Sequence, residues 1–152
     1  MVESTQIHGT CVLLRDAGVL IRGPSGSGKS DLALRLIDGG GILVADDRVD
    51  LTVAQGFVWA RPPEALAGKL EIRGVGIVDM AFRPKGQVAL VVDFIESQGI
   101  DRLPEKITTP LLDIPIPCLK LDPFTVSAVA KIRAMVEILT GNRIKLLDSS
   151  LP

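Results

Sequence analysis

The sequence is poor in the residues on which several classes of protein depend. It has no tyrosine, one tryptophan and 3% aromatic residues overall, so stacking platforms for nucleic-acid bases are not expected. Its 17 basic residues are offset by 18 acidic residues and form no long run, which argues against a nucleic-acid partner held by positive charge. No apolar run reaches the roughly 18 residues of a membrane span, and we therefore expect no membrane partner.

Cysteine and targeting signals are scarce as well. Cys11 and Cys118 are the two cysteines of the chain, and we expect both to be small buried apolar residues, although a disulfide is open in principle. Residues 1–4 lack the basic and apolar regions of a signal peptide. The expected location is therefore the reducing cytoplasm.

What is present indicates one α/β domain. The chain has 152 residues, of which 47% are hydrophobic, and this is enough for the core of a single domain over residues 1–152. The hydrophobic pattern of the first 50 residues predicts a strand–strand–loop–helix–strand unit, with elements at residues 5–14, 19–22, 31–37 and 42–45.

The rest of the chain predicts more strands and one long helix. The expected strands lie at residues 49–53, 57–60, 69–81 (interrupted by Gly74 and Gly76) and 87–94, and a polar loop follows at residues 96–106. Pro115, Pro117 and Pro123 interrupt the next stretch. Asp122 offers an N-cap for a helix over about residues 124–139, and Gly141 would end it.

The strongest chemical signal is a glycine-rich loop between the second predicted strand and the first predicted helix. It matches G-x-x-x-x-G-K-[ST] in full, and ordinary residue frequencies give such a match by chance in about 0.5% of chains of this length. The glycines let backbone N–H groups turn towards a phosphate, Lys29 can reach the outer phosphates, and Ser30 can ligate magnesium. The loop predicts a site for ATP and Mg²⁺, formed by Gly23, Pro24, Ser25, Gly26, Ser27, Gly28, Lys29 and Ser30.

Two adjacent carboxylates, Asp46 and Asp47, follow the third predicted buried strand. Ligands of such sheets lie beyond the carboxyl ends of the strands. One carboxylate could hold magnesium or its water, and the other could accept a proton from an attacking hydroxyl. A turn that carries two solvated acids fits the spacing equally well.

Three segments together resemble the HPr kinase/phosphorylase family. They are the glycine-rich loop, the stretch Leu-Val-Ala-Asp-Asp-Arg-Val-Asp at residues 43–50, and the stretch Leu-Glu-Ile-Arg-Gly-Val-Gly-Ile-Val at residues 70–78. The third stretch is the most specific, since few other P-loop proteins carry it. The resemblance implies a P-loop α/β fold with a mixed sheet, like the PEP-carboxykinase-like C-terminal domain of that family. It matches the short form typical of alphaproteobacteria, without the family's N-terminal domain.

The resemblance also implies an activity and roles for residues. The family uses ATP to phosphorylate a serine of HPr, the phosphocarrier protein of the phosphotransferase system, and removes that phosphate by phosphorolysis. Asp47 matches the acid/base aspartate, Asp46 a neighbouring ligand of magnesium or water, and Glu71 a second carboxylate linked to magnesium. His8 matches an active-site histidine, and Arg102 a catalytic arginine that would neutralise the transferring phosphoryl group. Without the resemblance, His8 would be interpreted as a core histidine, and Glu71 and Arg102 as solvent-facing charges.

One segment departs from the family's pattern. The family has a loop of the type Pro-Val-x-Pro-Gly-Arg-Asn, linked to dephosphorylation, where residues 116–123 read Ile-Pro-Cys-Leu-Lys-Leu-Asp-Pro. Lys120 could supply a substitute cation, but an ammonium group lacks the fork of a guanidinium group. Kinase activity is therefore the firmer expectation, and phosphorylase activity is left open. Longer members form hexamers, so a homo-oligomer is open as well.

Two other functions stay open at this point. A nucleotide-binding regulator would keep the phosphate loop but transfer phosphate poorly, and it would have little need of an acid/base residue such as Asp47. A kinase of a small hydroxylated metabolite would need a closed pocket and a lid, and no arginine-rich lid segment is evident in the sequence.

Overall fold

The protein is described by a computed structural model over residues 3–141 and 144–147. Within these ranges it forms eleven strands, two α-helices, and 3-10 turns at Glu64–Leu66 and Ser97–Gly99. The helices are α1 (Lys29–Asp38) and α2 (Ala128–Thr140). The strands are β1 (Ser4–His8), β2 (Thr10–Leu14), β3 (Ala17–Arg22), β4 (Ile42–Ala45), β5 (Arg48–Ala54), β6 (Phe57–Arg61), β7 (Lys69–Ile72), β8 (Gly76–Asp79), β9 (Gly86–Phe94), β10 (Ile107–Leu111) and β11 (Ile114–Leu121).

Nine of the strands in the described ranges form one curled, branched sheet. Its main order is β1-β5-β6-β9-β3-β2-β4, while β11 pairs with β9 and β10 pairs with β11. β3 and β11 run parallel to β9, and the neighbouring pairs are antiparallel. β7 and β8 form a separate hairpin. The combination of parallel and antiparallel pairs confirms the predicted α/β fold with a mixed sheet.

The sheet buries an apolar core on each of its two sides. On β3, Leu20 packs into one core while Val19 and Ile21 pack into the other, as the alternation of side chains along a strand requires. We call the second side the helix side, because Leu32, Ala33 and Leu36 of α1 and buried residues of α2 close it. We call the first the strand side, because residues of β5, β6, β10 and β11 close it.

The pairing of strands brings several strand ends to one edge of the sheet, which we call the carboxyl edge. β3, β9 and β11 are parallel, so they end there together. β4 also ends there, because it pairs antiparallel with β2, which in turn pairs antiparallel with β3. The carboxyl edge therefore gathers the glycine-rich loop after β3, Asp46 after β4, and Asp93 at the end of β9.

Both cysteines are free and buried, as predicted. Burial raises the pKa of the Cys11 thiol to about 12, so this thiol stays neutral at ordinary pH and behaves as an apolar residue. In the described part of the chain, no helix is both long and apolar enough to cross a bilayer.

Several element boundaries differ from the prediction, and two of these differences have a clear local reason. The strand expected over residues 5–14 is two strands, separated at Gly9, where a Cβ atom would lie 3.0 Å from the carbonyl oxygen of Ile21. The helix expected from residue 124 begins at Ala128. Asp122 accepts a hydrogen bond from Phe124 N at 2.9 Å and thereby caps a turn that precedes the helix.

One hairpin, formed by β10 and β11, was not predicted because its sequence contains prolines. Pro110 pairs with Pro115, and Thr108 with Pro117. β11 pairs with the central strand β9 over residues 118–121. Pro115 and Pro117 precede this pairing, so the N–H groups that proline lacks are not needed for hydrogen bonds to β9. Prolines are tolerated in such edge positions, and the segment can be a strand despite them.

Candidate active site

The glycine-rich loop at residues 23–30 leaves the end of β3 and leads into α1. Gly26 and Gly28 have φ angles of 78° and 103°, in the left-handed region that favours glycine. No side chain caps the first turn of α1. The N–H groups of that turn can therefore bind an anion, which the positive end of the helix dipole also favours.

Two polar side chains of the loop suit a phosphate. The ammonium group of Lys29 donates to the carbonyl oxygens of Gly23 at 2.8 Å and Pro24 at 2.9 Å, so it lies over the loop itself. Ser27 Oγ is buried and has no hydrogen-bond partner among the described residues. Buried polar atoms are nearly always paired, and a phosphate oxygen would supply the missing partner. The loop therefore fits the nucleotide phosphates that the motif predicts.

Asp46, Thr10 and Ser30 form a hydrogen-bonded group that we call the Asp46 cluster. Asp46 is 6% exposed, and its Oδ1 accepts hydrogen bonds from Thr10 Oγ1 at 2.8 Å and Ser30 Oγ at 2.9 Å. Three elements thus converge here: the start of β2, the first turn of α1 and the end of β4. The expected magnesium ligands Ser30 and Asp46 lie in direct contact.

The chemistry of the Asp46 cluster fits a magnesium ion. Carboxylate and hydroxyl oxygens are the ligands that this ion prefers, usually together with water and substrate phosphates. Within residues 3–141 and 144–147, no three His, Cys, Asp or Glu side chains are grouped as a metal site. The remaining ligands would therefore come from the nucleotide and from water.

Asp47 differs from its neighbour because it is exposed and its backbone is strained. Its φ angle is 69°, a conformation that costs a non-glycine residue about 1–3 kcal/mol. A hydrogen bond of 2.8 Å from Arg48 N to Asp46 O closes the turn, and Gly9 N donates to Asp47 O at 3.2 Å. The turn directs one carboxylate into the Asp46 cluster and leaves the other accessible to a second substrate.

The other predicted site residues lie at different distances from this centre. His8 is exposed and stands in register with Arg48, beside Asp47, so the alternative interpretation as a core histidine is wrong. Glu71 is exposed on β7, and its backbone N lies 3.5 Å from Asp46 Oδ2. Arg102 is exposed in the loop before β10, and no hydrogen bond or ion pair among the described residues joins it to the site.

Thr10 is fully buried and donates a hydrogen bond to Asp46, a role that no motif in the sequence indicates. The available signal is a polar residue between Gly9 and the apolar run at residues 11–14. That signal is weak, because threonine is common in strands.

A second group at the carboxyl edge was also missed, and we call it the Arg22–Asp93 pair. Arg22 Nε donates to Asp93 Oδ1 and a terminal nitrogen of Arg22 to Asp93 Oδ2, both at 2.9 Å. The same terminal nitrogen donates to Thr109 Oγ1 at 3.0 Å, and Cys118 Sγ donates to Asp93 at 3.5 Å. The two charged residues are 71 positions apart, so no local pattern links them.

The charges of this pair shift the pKa values of the groups around them. Burial acts to raise the pKa of Asp93, but the hydrogen bond and charge of Arg22 outweigh it and hold that pKa below its usual value. The pKa of Cys118 is raised to about 11 by burial and then by the neighbouring Asp93. Asp93 is therefore charged and Cys118 neutral at ordinary pH.

Comparison with known proteins agrees with this geometry. The family model described as HPr Serine kinase C-terminal domain matches residues 1–148. The HPr kinase/phosphorylase of Streptococcus thermophilus is 44% identical over 114 residues, covering 68% of this chain and 37% of that protein. The enzyme of the same name from Bordetella pertussis is 36% identical over 156 residues, covering 95% of this chain and 50% of that protein.

A solved structure is also similar. The structure of the Hpr(Ser) kinase/phosphatase from Coxiella burnetii superposes with a TM-score of 0.78 at 26% sequence identity, and the match covers 88% of this chain and 94% of that chain. This chain spans half or less of the length of the two curated relatives.

Proposed function

This chain belongs to the family of the HPr Serine kinase C-terminal domain, and on that premise we propose that it transfers the γ-phosphoryl group of ATP to a serine of HPr, with Mg²⁺. The observation that carries the proposal is the convergence of the glycine-rich loop and the Asp46 cluster on one point, with Asp47 exposed beside it. The proposed place of action is the cytoplasm, where ATP and HPr are both available.

The chain's own groups would divide the work of holding the nucleotide. The N–H groups at the start of α1 and the ammonium group of Lys29 would bind the phosphates. Ser30 and Asp46 would hold the magnesium ion, which supplies positive charge that stabilises the phosphates of ATP. Glu71 is proposed as a further carboxylate linked to the ion, since its strand passes Asp46. Together these residues would hold the phosphates of ATP beside the exposed Asp47.

The proposed chemical step is a displacement on the γ-phosphorus. The carboxylate of Asp47 accepts the proton of the HPr serine hydroxyl while the serine oxygen forms a bond to the γ-phosphorus. The bond from that phosphorus to the oxygen bridging it to the β-phosphate breaks, and ADP leaves with the electron pair. His8 would act beside Asp47, and Arg102 would neutralise the transferring group if its loop closes over the site.

The dephosphorylating reaction, phosphorolysis, would use the same groups. Inorganic phosphate attacks the phosphoserine of HPr, the phosphorus–serine bond breaks, and pyrophosphate and free serine form. Asp47 would take up the proton of the attacking phosphate and give it to the serine oxygen, so that one carboxylate serves both reactions. We propose kinase transfer as the main activity and phosphorolysis as a second activity of the same site.

The competing function, a nucleotide-binding regulator without transfer, accounts less well for Asp47. A regulator needs only the cradle for the nucleotide, whereas here a non-glycine residue is held at a φ angle of 69° with its side chain exposed beside that cradle. Four other non-glycine residues in the described part of the chain also have positive φ angles, so it is the exposed carboxylate beside the cradle that favours transfer.

The experiment is to incubate the protein with Mg-ATP and HPr and to follow serine phosphate on HPr by mass spectrometry. We expect one phosphoryl group per HPr, and none on HPr whose acceptor serine is replaced by alanine. If ATP binds and HPr gains no phosphate, the kinase proposal is wrong. Incubation of phospho-HPr with inorganic phosphate, followed by assay of pyrophosphate, tests the reverse reaction.

A further inference from the structure

The Arg22–Asp93 pair lies immediately before the glycine-rich loop. Arg22 is the last residue of β3 and stands in register with Asp93 on the neighbouring parallel strand β9. Because Leu20 packs on the strand side, alternation places Arg22 on that side as well. The pair therefore closes the strand-side core at the carboxyl edge, while the loop continues towards the helix side.

The next residues of the same two strands are packed against each other. Gly23 follows Arg22, and Phe94 follows Asp93. A Cβ atom on Gly23 would lie 3.1 Å from Cδ2 of Phe94 and 2.7 Å from Ser27 Oγ. The backbone at the start of the loop is thus held closely on the ring, and no larger residue would fit there without movement.

Gly23 connects this packing to Lys29. The carbonyl oxygen of Gly23 accepts a hydrogen bond of 2.8 Å from Lys29 Nζ. A shift of the end of β3 would move this carbonyl and with it the position of the ammonium group. The ion pair is thus one residue from the point on which the lysine depends.

The pair is also anchored beyond its own two strands. Arg22 donates to Thr109 of β10, and Asp93 accepts from Cys118 of β11. Arg22 and Asp93 have exposed side-chain fractions of 29% and 32%, so the pair is partly shielded from solvent. A two-bond contact between a guanidinium group and a carboxylate has a defined geometry that a single hydrogen bond lacks.

We propose that Arg22 and Asp93 are positioning residues that set the start of the glycine-rich loop, and through Gly23 the place of Lys29, for binding Mg-ATP. The inference rests on the proposed nucleotide function and goes beyond it, because neither residue belongs to the phosphate motif. We assign Arg22 no direct contact with phosphate, since Asp93 and Thr109 engage its Nε and one of its two terminal nitrogens.

The test measures the dissociation constant of Mg-ATP by calorimetry for the intact protein and three variants. Asp93→Asn and Arg22→Met should each weaken Mg-ATP binding about tenfold, because small misplacements of binding groups have large effects. Arg22→Lys keeps the charge without the fork and should give an intermediate value. In transfer assays, the KM for ATP should rise about tenfold while kcat at saturating ATP changes by less than about threefold.

Val136→Ala is the matched control for loss of stability. Val136 is 6% exposed in α2 and lies in the helix-side core, so its truncation should lower the melting temperature without changing Mg-ATP affinity. If the pair had only a structural role, Asp93→Asn would likewise lower the melting temperature without changing Mg-ATP affinity. Folding of each variant is checked by circular dichroism. If Asp93→Asn or Arg22→Met does not fold, the test is made with Arg22→Lys, which is the mildest of the three changes.

Each result decides the inference. Wild-type affinity in folded Asp93→Asn and Arg22→Lys would overturn it. Tighter binding in Asp93→Asn would also overturn it, because it would mean that freed Arg22 contacts phosphate directly. If the unaltered protein binds Mg-ATP but does not phosphorylate HPr, the proposed function fails while the affinities still test the pair. If it binds no Mg-ATP, both proposals fail.

Discussion

The Asp46 cluster and the Arg22–Asp93 pair each place an aspartate at the carboxyl edge, but the two aspartates differ in their exposure and in the charge of their partners. Asp46 is 6% exposed and accepts hydrogen bonds from two neutral hydroxyl groups. The Asp93 side chain is 32% exposed and faces a guanidinium group at 2.9 Å. A buried carboxylate is costly unless its charge is met. Asp46 is therefore suited to binding a cation such as magnesium. Asp93 already has a cationic partner in Arg22, and it is suited to a structural role.

The largest effect in this comparison is expected for Asp46→Asn. Asparagine keeps the shape and one acceptor oxygen for Thr10 and Ser30, but it removes the negative charge that favours magnesium. Phosphoryl transfer should fall about 100-fold, compared with about tenfold in affinity for Asp93→Asn. The measurement is kcat/KM for ATP as a function of magnesium concentration. An unchanged magnesium dependence would show that Asp46 is not a ligand.

Matched threonine variants probe the same difference through stability. Thr10→Val removes a hydrogen bond to the buried Asp46 and should lower the free energy of unfolding by about 1.5–3 kcal/mol. Thr109→Val removes an acceptor from Arg22, which keeps Asp93 as a partner, and should cost less than about 1 kcal/mol. Urea unfolding of both variants measures the two values. Equal losses in the free energy of unfolding would contradict the distinction between the Asp46 cluster and the Arg22–Asp93 pair.

The smallest effect concerns stability in acid. The folded-state pKa of Asp93 lies below its unfolded value, so its stabilising contribution is complete above the unfolded pKa of about 3.9. It is lost as the pH falls through the folded-state pKa. The free energy of unfolding of the wild type should therefore fall more steeply below about pH 4 than that of Asp93→Asn.

Asp122→Asn provides the comparison for this acid measurement. Hydrogen bonds from Ser97 and from the backbone N–H of Phe124 lower the pKa of Asp122, but its carboxylate is open to solvent. We expect a smaller change in the acid dependence than for Asp93→Asn. An equal or larger change would mean that the Arg22–Asp93 pair contributes no special stability.

The part of the site that depends on local sequence could be predicted. The glycine-rich loop, its position between a strand and a helix, and the Asp46–Asp47 turn all follow from residues that are neighbours in the chain. The apolar face of α1 formed by Leu32, Ala33 and Leu36 also follows from the helical spacing of these residues, and it is buried. The roles of His8, Glu71 and Arg102 rest on family resemblance and remain predictions.

The part that depends on strand register could not be predicted. Arg22 meets Asp93 because β3 lies beside β9 in one register, and a shift of one residue would turn the two side chains to opposite sides of the sheet. The β10–β11 hairpin was not predicted because it contains prolines. Thr10 was not singled out because threonine is common in strands. Each of these depends on pairings between distant segments, which residue patterns do not specify.

The central claim is that Asp47 accepts the proton of the serine that attacks ATP. The most direct measurement is the single-turnover rate of phosphoryl transfer to HPr for the wild type and Asp47→Asn, with Mg-ATP affinity measured on the same samples. The account predicts a rate about 10²–10⁴-fold lower, as is typical when general-base catalysis is removed, with affinity nearly unchanged. A wild-type rate in Asp47→Asn would contradict the account.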